Sequence, residues 1–154
     1  MTIPFAYDLN FPPGMFFAIV IASMKVLIVE LEKTLLQSLS NFMERNEYDV
    51  LVAHSVGEGI SLFNKTTIDM VICGERLPDG SGLELLKEWT RQNPELISVL
   101  MTARQDDSLE REAARAGIKG YLEKPFDLKQ LEEIIIRSSR PLEKGAQEGF
   151  NERR

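Results

Sequence analysis

Residues 69–82 read DMVICGERLPDGSG, and the fold turns on how that stretch is understood. Met70 to Cys73 is a continuous apolar run, while Pro78, Gly80 and Gly82 punctuate the residues after it. A short apolar run bounded by turn residues fits a strand buried on both faces. A loop leaving the carboxyl end of such a strand is where open α/β sheets place their chemistry. The residue at that tip is Gly74, which has no side chain to contribute.

Outward from this stretch, strand and helix signals alternate. Upstream, Val26 to Val29 is a second buried run, and Leu35, Leu39, Phe42 and Met43 follow at helical spacing. Asp49 to Ala53 predicts another strand, and Ser55 with Glu58 predicts a capping box opening a helix through Phe63. Downstream, Ser81 with Glu84 is a second box. Leu83, Leu86 and Trp89 mark one helical face, and Asn93-Pro94 ends it. Leu96 to Met101 predicts the fourth strand. Asp107 with Glu110 predicts a third box, on a helix closed by Ala116-Gly117. Lys119 to Leu122 is a short fifth strand. Asp127 with Gln130 opens a last helix striped by Leu128, Leu131, Ile134 and Ile135. Five strands, each followed by a helix, imply an α/β fold with a parallel sheet and helices on both faces.

The 154 residues suit one domain, at residues 24–138. Residues 1–23 read as an N-terminal extension carrying one charge, Asp8. Met24 is then the expected natural start, with an accessory extension, or an anchor or signal, as the other readings. The apolar run Met15 to Ala22 is shorter than the roughly 20 residues a membrane span needs, and no positive charge precedes it as a signal peptide requires. Residues 139–154 read as a polar tail or linker. A formal net charge of -6 argues against direct nucleic-acid binding. One cysteine and one histidine exclude a disulfide framework, a Cys-based zinc site and a His-rich metal cluster. Cys73 is expected in the core, His54 at the surface, and Asp79-Gly80 in a turn.

VLIVE at 26–30, DMVICGERLPDGSG at 69–82, LMTA at 100–103 and YLEKPF at 121–126 resemble the receiver domain of two-component response regulators. The resemblance covers about residues 24–138. It implies a flavodoxin-like, doubly wound, five-stranded sheet of order 2-1-3-4-5. It also implies a Mg²⁺ held by an acidic pair after the first strand and an aspartate at the tip of the third, which takes a phosphoryl group from a histidine kinase. Thr102 and Lys124 match the hydroxyl and ammonium that bind the phosphoryl oxygens, and Tyr121 matches the aromatic switch. Glu30 matches the first acid of the pair. Leu31 stands where the second acid belongs, and Gly74 where the phosphoacceptor belongs. Pro78 and Gly82, four and eight residues on, fix that register. Glu75 is one residue further, so its side chain is expected on the other side of the strand.

Magnesium needs hard oxygen ligands, and two of the three expected carboxylates are missing. The expectation is therefore a degenerate pocket of Glu30, Leu31, Gly74, Thr102 and Lys124, with the Mg²⁺ site lost and Lys124 paired to Glu30. The function expected is a pseudo-receiver: a cytoplasmic, non-enzymatic interaction module independent of phosphorylation. Its partners would be a histidine kinase, an output domain or another regulator, with neither nucleic acid nor membrane. The partner face would be the fourth helix, fifth strand and fifth helix, carrying Tyr121, Arg104, Arg111, Arg115, Lys119 and Lys129, and able to form a homodimer. The alternatives are a true phosphorelay receiver using Glu75 or Asp79, and a flavodoxin-like enzyme binding a small ligand. Against the last, no Gly-rich phosphate loop follows the first strand.

Overall fold

The structure, a computed structural model, describes residues 24–139. The expectations for residues 1–23 and for nearly all of the tail lie outside the described residues. The elements run β1 Lys25–Val29, α1 Lys33–Arg45, β2 Asp49–Ala53, α2 Val56–Lys65, β3 Met70–Gly74, β4 Arg76–Leu77, β5 Gly80–Ser81, α3 Gly82–Gln92, β6 Ile97–Thr102, α4 Asp107–Arg115, β7 Gly120–Glu123 and α5 Leu128–Ser138. The main sheet has the order β2-β1-β3-β6-β7, every pair parallel. With the two-residue strands β4 and β5 set aside, this is the doubly wound order 2-1-3-4-5 of a flavodoxin-like fold.

Strand alternation sends successive side chains to opposite faces, which divides the core in two. Leu27, Val29, Val71, Cys73 and Leu100 pack with Leu83, Leu86, Trp89 and Leu109 on one side. Val26, Ile28, Met70, Ile72, Val99 and Met101 pack with Leu39, Met43, Leu131 and Ile135 on the other. Asp69 staples the base of the sheet. Its carboxylate accepts from Lys25 N–H at 2.8 Å, its own N–H donates to the Lys25 carbonyl, and its carbonyl accepts from Ile97 N–H.

The capping signals held with shifts. Asp127 and Gln130 form the full reciprocal box. Ser55 and Ser81 each accept from the N–H three residues on, but the Glu58 carboxylate reaches back to His54 N–H, one residue before the cap. The third cap is Asp106, not Asp107: its carboxylate accepts from Ser108 and Leu109. That shift puts Asp107 and Glu110 in the first turn of α4, where the helix dipole favours negative charge.

Arg76–Leu77 and Gly80–Ser81 pair antiparallel around Pro78-Asp79, a small hairpin that the sequence announced only as a turn. Asp79 anchors it by accepting from Val56 and Gly57 N–H at the start of α2. Gly82 has no room for a side chain, since a Cβ would run into the Gly74 carbonyl. Its N–H donates to the Glu75 carbonyl at 2.7 Å. The loop after β3 is thus closed tightly onto the start of α3.

Candidate functional site

The carboxyl ends of β1, β3, β6 and β7 converge, and each contributes a side chain or the lack of one. Glu30, next after β1, is 3% exposed. Its Oε2 accepts from Glu32 N–H at 2.8 Å, and its Oε1 accepts from Lys124 Nζ at 3.1 Å. Lys124 follows β7, precedes a cis peptide bond to Pro125, and also lies 3.7 Å from Glu32. A buried carboxylate is tolerated where it is paired and hydrogen-bonded, and Glu30 meets both conditions.

Gly74 lies beneath that carboxylate. A Cβ built there would stand 2.5 Å from Glu30 Oε1. Glu30 therefore lies across the space that a side chain at position 74 would enter. Leu31 is 52% exposed and offers no oxygen. The residues do not fit a Mg²⁺ site. Of the three expected carboxylates only Glu30 is present, its two oxygens are engaged by the Lys124 ammonium and the Glu32 N–H, and the Glu32 carboxylate beside that ammonium is largely exposed. Among the described residues no group of three or more His, Cys, Asp or Glu is arranged to hold a metal ion.

Thr102, at the end of β6, is buried. Its hydroxyl donates to Glu75 Oε1 at 2.5 Å and accepts from Arg104 N–H at 3.0 Å. The Arg104 guanidinium forks onto the same carboxylate, with Nε 3.3 Å from Oε1 and a terminal nitrogen on Oε2. Alternation puts Glu75 on the face opposite Gly74 and Glu30, and the pairing of Gly74 with Met101 sets it level with Thr102 on that face. Glu75 N–H there donates to the Met101 carbonyl at 2.8 Å, and the carboxylate arrives at the pocket residue Thr102. Asp79, the other candidate carboxylate, is engaged at the start of α2.

Burial alone would raise the Glu75 carboxyl, but the hydrogen bonds from Arg104 and Thr102 outweigh it and hold the group below its ordinary value. The charges acting on it are Arg104 and Arg76. A depressed value means the contribution to stability is complete above the unfolded carboxyl range, about 4.3, and is lost as pH falls through the folded value. The Thr102 and Arg104 amide signals are therefore expected to hold their positions through pH 5 and move only below about 4.3. Movement complete by pH 5 would contradict the geometry. Cys73 is fully buried, and desolvation, with the Glu30 charge adding to it, pushes its thiol far up. It stays protonated as a core residue.

The expected partner-face residues do not form one cluster. Lys119 and Tyr121 line a concavity of about 330 Å³ with Glu110, Ile118, Glu133 and Arg137. Arg111, Arg115 and Lys129 are exposed outside it, Lys119 Nζ donates to the Pro94 carbonyl at 3.0 Å, and Arg104 is drawn up to Glu75. Tyr121 is half-buried, and its hydroxyl lies 3.5 Å from the Arg104 carbonyl.

Residues 26–136 match the family model of the response regulator receiver domain. The chain belongs to that family. The response regulator PilR of Pseudomonas aeruginosa is 31% identical over 116 residues, 75% of this chain and 26% of the relative. The transcriptional regulatory protein TrcR of Mycobacterium tuberculosis is 31% identical over 130 residues, 82% of this chain and 50% of the relative. The receiver spans about half or less of the length of both relatives. A two-component response regulator from Clostridium difficile superposes with a TM-score of 0.72 at 26% identity, covering 78% of this chain and 98% of that one. A CheY-like receiver domain protein from Methanospirillum hungatei gives 0.72 at 25% identity, with 79% and 98% covered.

Within this receiver, the sequence named the pocket residues and their places, but not the Glu75–Thr102–Arg104 contact. The signal lay in strand register. Gly74 pairs with Met101 across β3 and β6, so the acid just past one strand end faces the hydroxyl and arginine at the end of the other.

Proposed function

We propose that this receiver works without phosphorylation, as an interaction module of a two-component pathway in the cytoplasm, with no enzymatic activity of its own. The observation that carries the reading is Glu30 folded over Gly74 and bound to Lys124. The acceptor carboxylate is missing, its space is filled, and the lysine that would meet a phosphoryl group is engaged elsewhere. Phosphoryl transfer needs a nucleophile in line and its developing charge neutralised by metal and cation, and each requirement fails at a named residue. Histidine kinases, output domains and other regulators are the partner class proposed, met through the α4–β7–α5 face around Tyr121. The negative net charge argues against nucleic acid. Among the described residues no helix is long and apolar enough to cross a membrane.

The test is the backbone amide spectrum with and without Mg²⁺ plus beryllofluoride, a phosphoryl mimic. The two spectra are expected to coincide. Shifts at Thr102, Tyr121 and Lys124 would overturn the reading.

A further inference from the structure

We infer that Glu75 is a resident ligand of Thr102, a built-in clasp that fixes the β6–α4 loop and Tyr121 in one arrangement without any external group. This deepens the phosphorylation-independent reading and rests on it, because the clasp matters only where no phosphoryl group competes for the hydroxyl.

A threonine hydroxyl has one hydrogen to give. Thr102 gives it to Glu75 Oε1, and a lone pair of the same oxygen takes the Arg104 N–H. A ligand arriving in the pocket would have to displace Glu75 to gain that hydrogen. Glu75 is a poor candidate for displacement. Its side chain is 11% exposed, the Arg104 fork holds both carboxylate oxygens, and its main chain is fixed at both ends, to Met101 and to Gly82. Hydrogen bonds to an ionised acceptor are about twice as strong as neutral ones.

The consequence runs along covalent and hydrogen-bonded neighbours. Glu75 holds the side chain and, through Thr102, the amide of Arg104. The Tyr121 hydroxyl lies 3.5 Å from the Arg104 carbonyl, a long contact at the edge of hydrogen-bonding range. Arg104 also reaches the α4 cap, 3.5 Å from Asp106. One carboxylate at the tip of β3 thereby sets the loop that leads into α4 and the ring that lines the concavity of the partner face. Its neighbour Glu30 does the same for Lys124. The two side chains matching the phosphoryl-binding pair are thus each satisfied from within the chain.

The experiment is native-state amide hydrogen exchange and Tyr121 ring signals in Glu75→Ala and Arg104→Met. The Arg104 amide reports the clasp directly, because its acceptor is the Thr102 oxygen that Glu75 orients. In Glu75→Ala this amide is expected to exchange about tenfold faster or more, the factor corresponding to one charge-assisted hydrogen bond, and the Tyr121 ring signals to move. Amides of Val71 and Ile72 in the core of β3 should keep their rates. Arg104→Met should shift Tyr121 in the same direction by less, since the Thr102–Glu75 bond survives. If Glu75→Ala does not fold, Glu75→Gln keeps an acceptor for the hydroxyl while removing the charge, and should release the Arg104 side chain and move Tyr121. An Arg104 amide within about twofold of the parent, an unmoved Tyr121 ring, or acceleration shared by Val71 and Ile72 would each overturn the clasp. Beryllofluoride added to the unsubstituted chain tests the underlying reading separately. Binding there sinks that reading, whereas failure of the Glu75 variants with matched beryllofluoride spectra sinks only the clasp.

Discussion

Lys124→Met is expected to destabilise the domain by about 2–4 kcal/mol, because it leaves a buried carboxylate without its cation. Glu30 is 3% exposed and keeps only the Glu32 N–H as a partner once the ammonium is gone. The figure sits below the full range for a broken buried pair because the Lys124 side chain is itself 23% exposed, and water can partly take its place. Urea unfolding monitored by far-ultraviolet circular dichroism would show the loss as a midpoint shift of about 1–2 M. The double variant Lys124→Met with Glu30→Gln is expected to recover most of it. The amide needs no counter-ion, and its oxygen can still accept from Glu32 N–H. A loss below about 0.5 kcal/mol in the single variant would mean that the pair is screened like a surface salt bridge, and that something other than Lys124 holds Glu30 across Gly74.

Leu31→Asp with Gly74→Asp is expected to create a Mg²⁺ site with a dissociation constant on the order of 1 mM, about 4 kcal/mol of binding free energy. The scaffold is in place: Glu30 after β1, the loop closed by Pro78 and Gly82, and Lys124 turned inward. The new side chain at 74 enters 2.5 Å from Glu30 Oε1, so Glu30 must swing aside, and three carboxylates then share one ammonium. Without metal the double variant should lose about 1–3 kcal/mol through like-charge repulsion and the disturbed buried pair. Magnesium at about 10 mM should return about 1.4 kcal/mol by mass action. Calorimetric titration and thermal unfolding with and without Mg²⁺ check both parts. A variant that folds but binds no metal would show that position 74 is not the acceptor position.

Much of this was legible in the residues because buried parallel strands write themselves as unbroken apolar runs. Val26 to Val29 and Met70 to Cys73 needed no partner to be recognised, and the resemblance supplied the sheet order. Gly82 served as a register mark for a physical reason: any side chain there would meet the Gly74 carbonyl. The Lys124–Glu30 contact followed from charge, since an inward lysine deprived of two of its three acids takes the one that remains. Three things were not legible. The cap at Asp106 rather than Asp107 depends on where α4 first turns, and adjacent aspartates serve equally well in sequence. The β4–β5 hairpin is two residues a side, too short to carry a period. The Glu75 contact joins residues 27 apart and depends on the register between β3 and β6, which the residues of either strand alone do not state.

Glu30 resting over Gly74 makes positions 31 and 74 depend on each other. An aspartate placed at position 74 alone would meet a carboxylate already in its space, with Leu31 unable to complete a cation site, so that single substitution is expected to lower stability without creating the site. A change at Leu31 alone adds an acid beside Glu30 with no third ligand. Gly74→Asp alone is crowded by Glu30, Leu31→Asp alone lacks a third ligand, and only the pair supplies three carboxylates. Glu30 thereby couples positions 31 and 74 through packing and charge, so neither can be judged by substituting it alone.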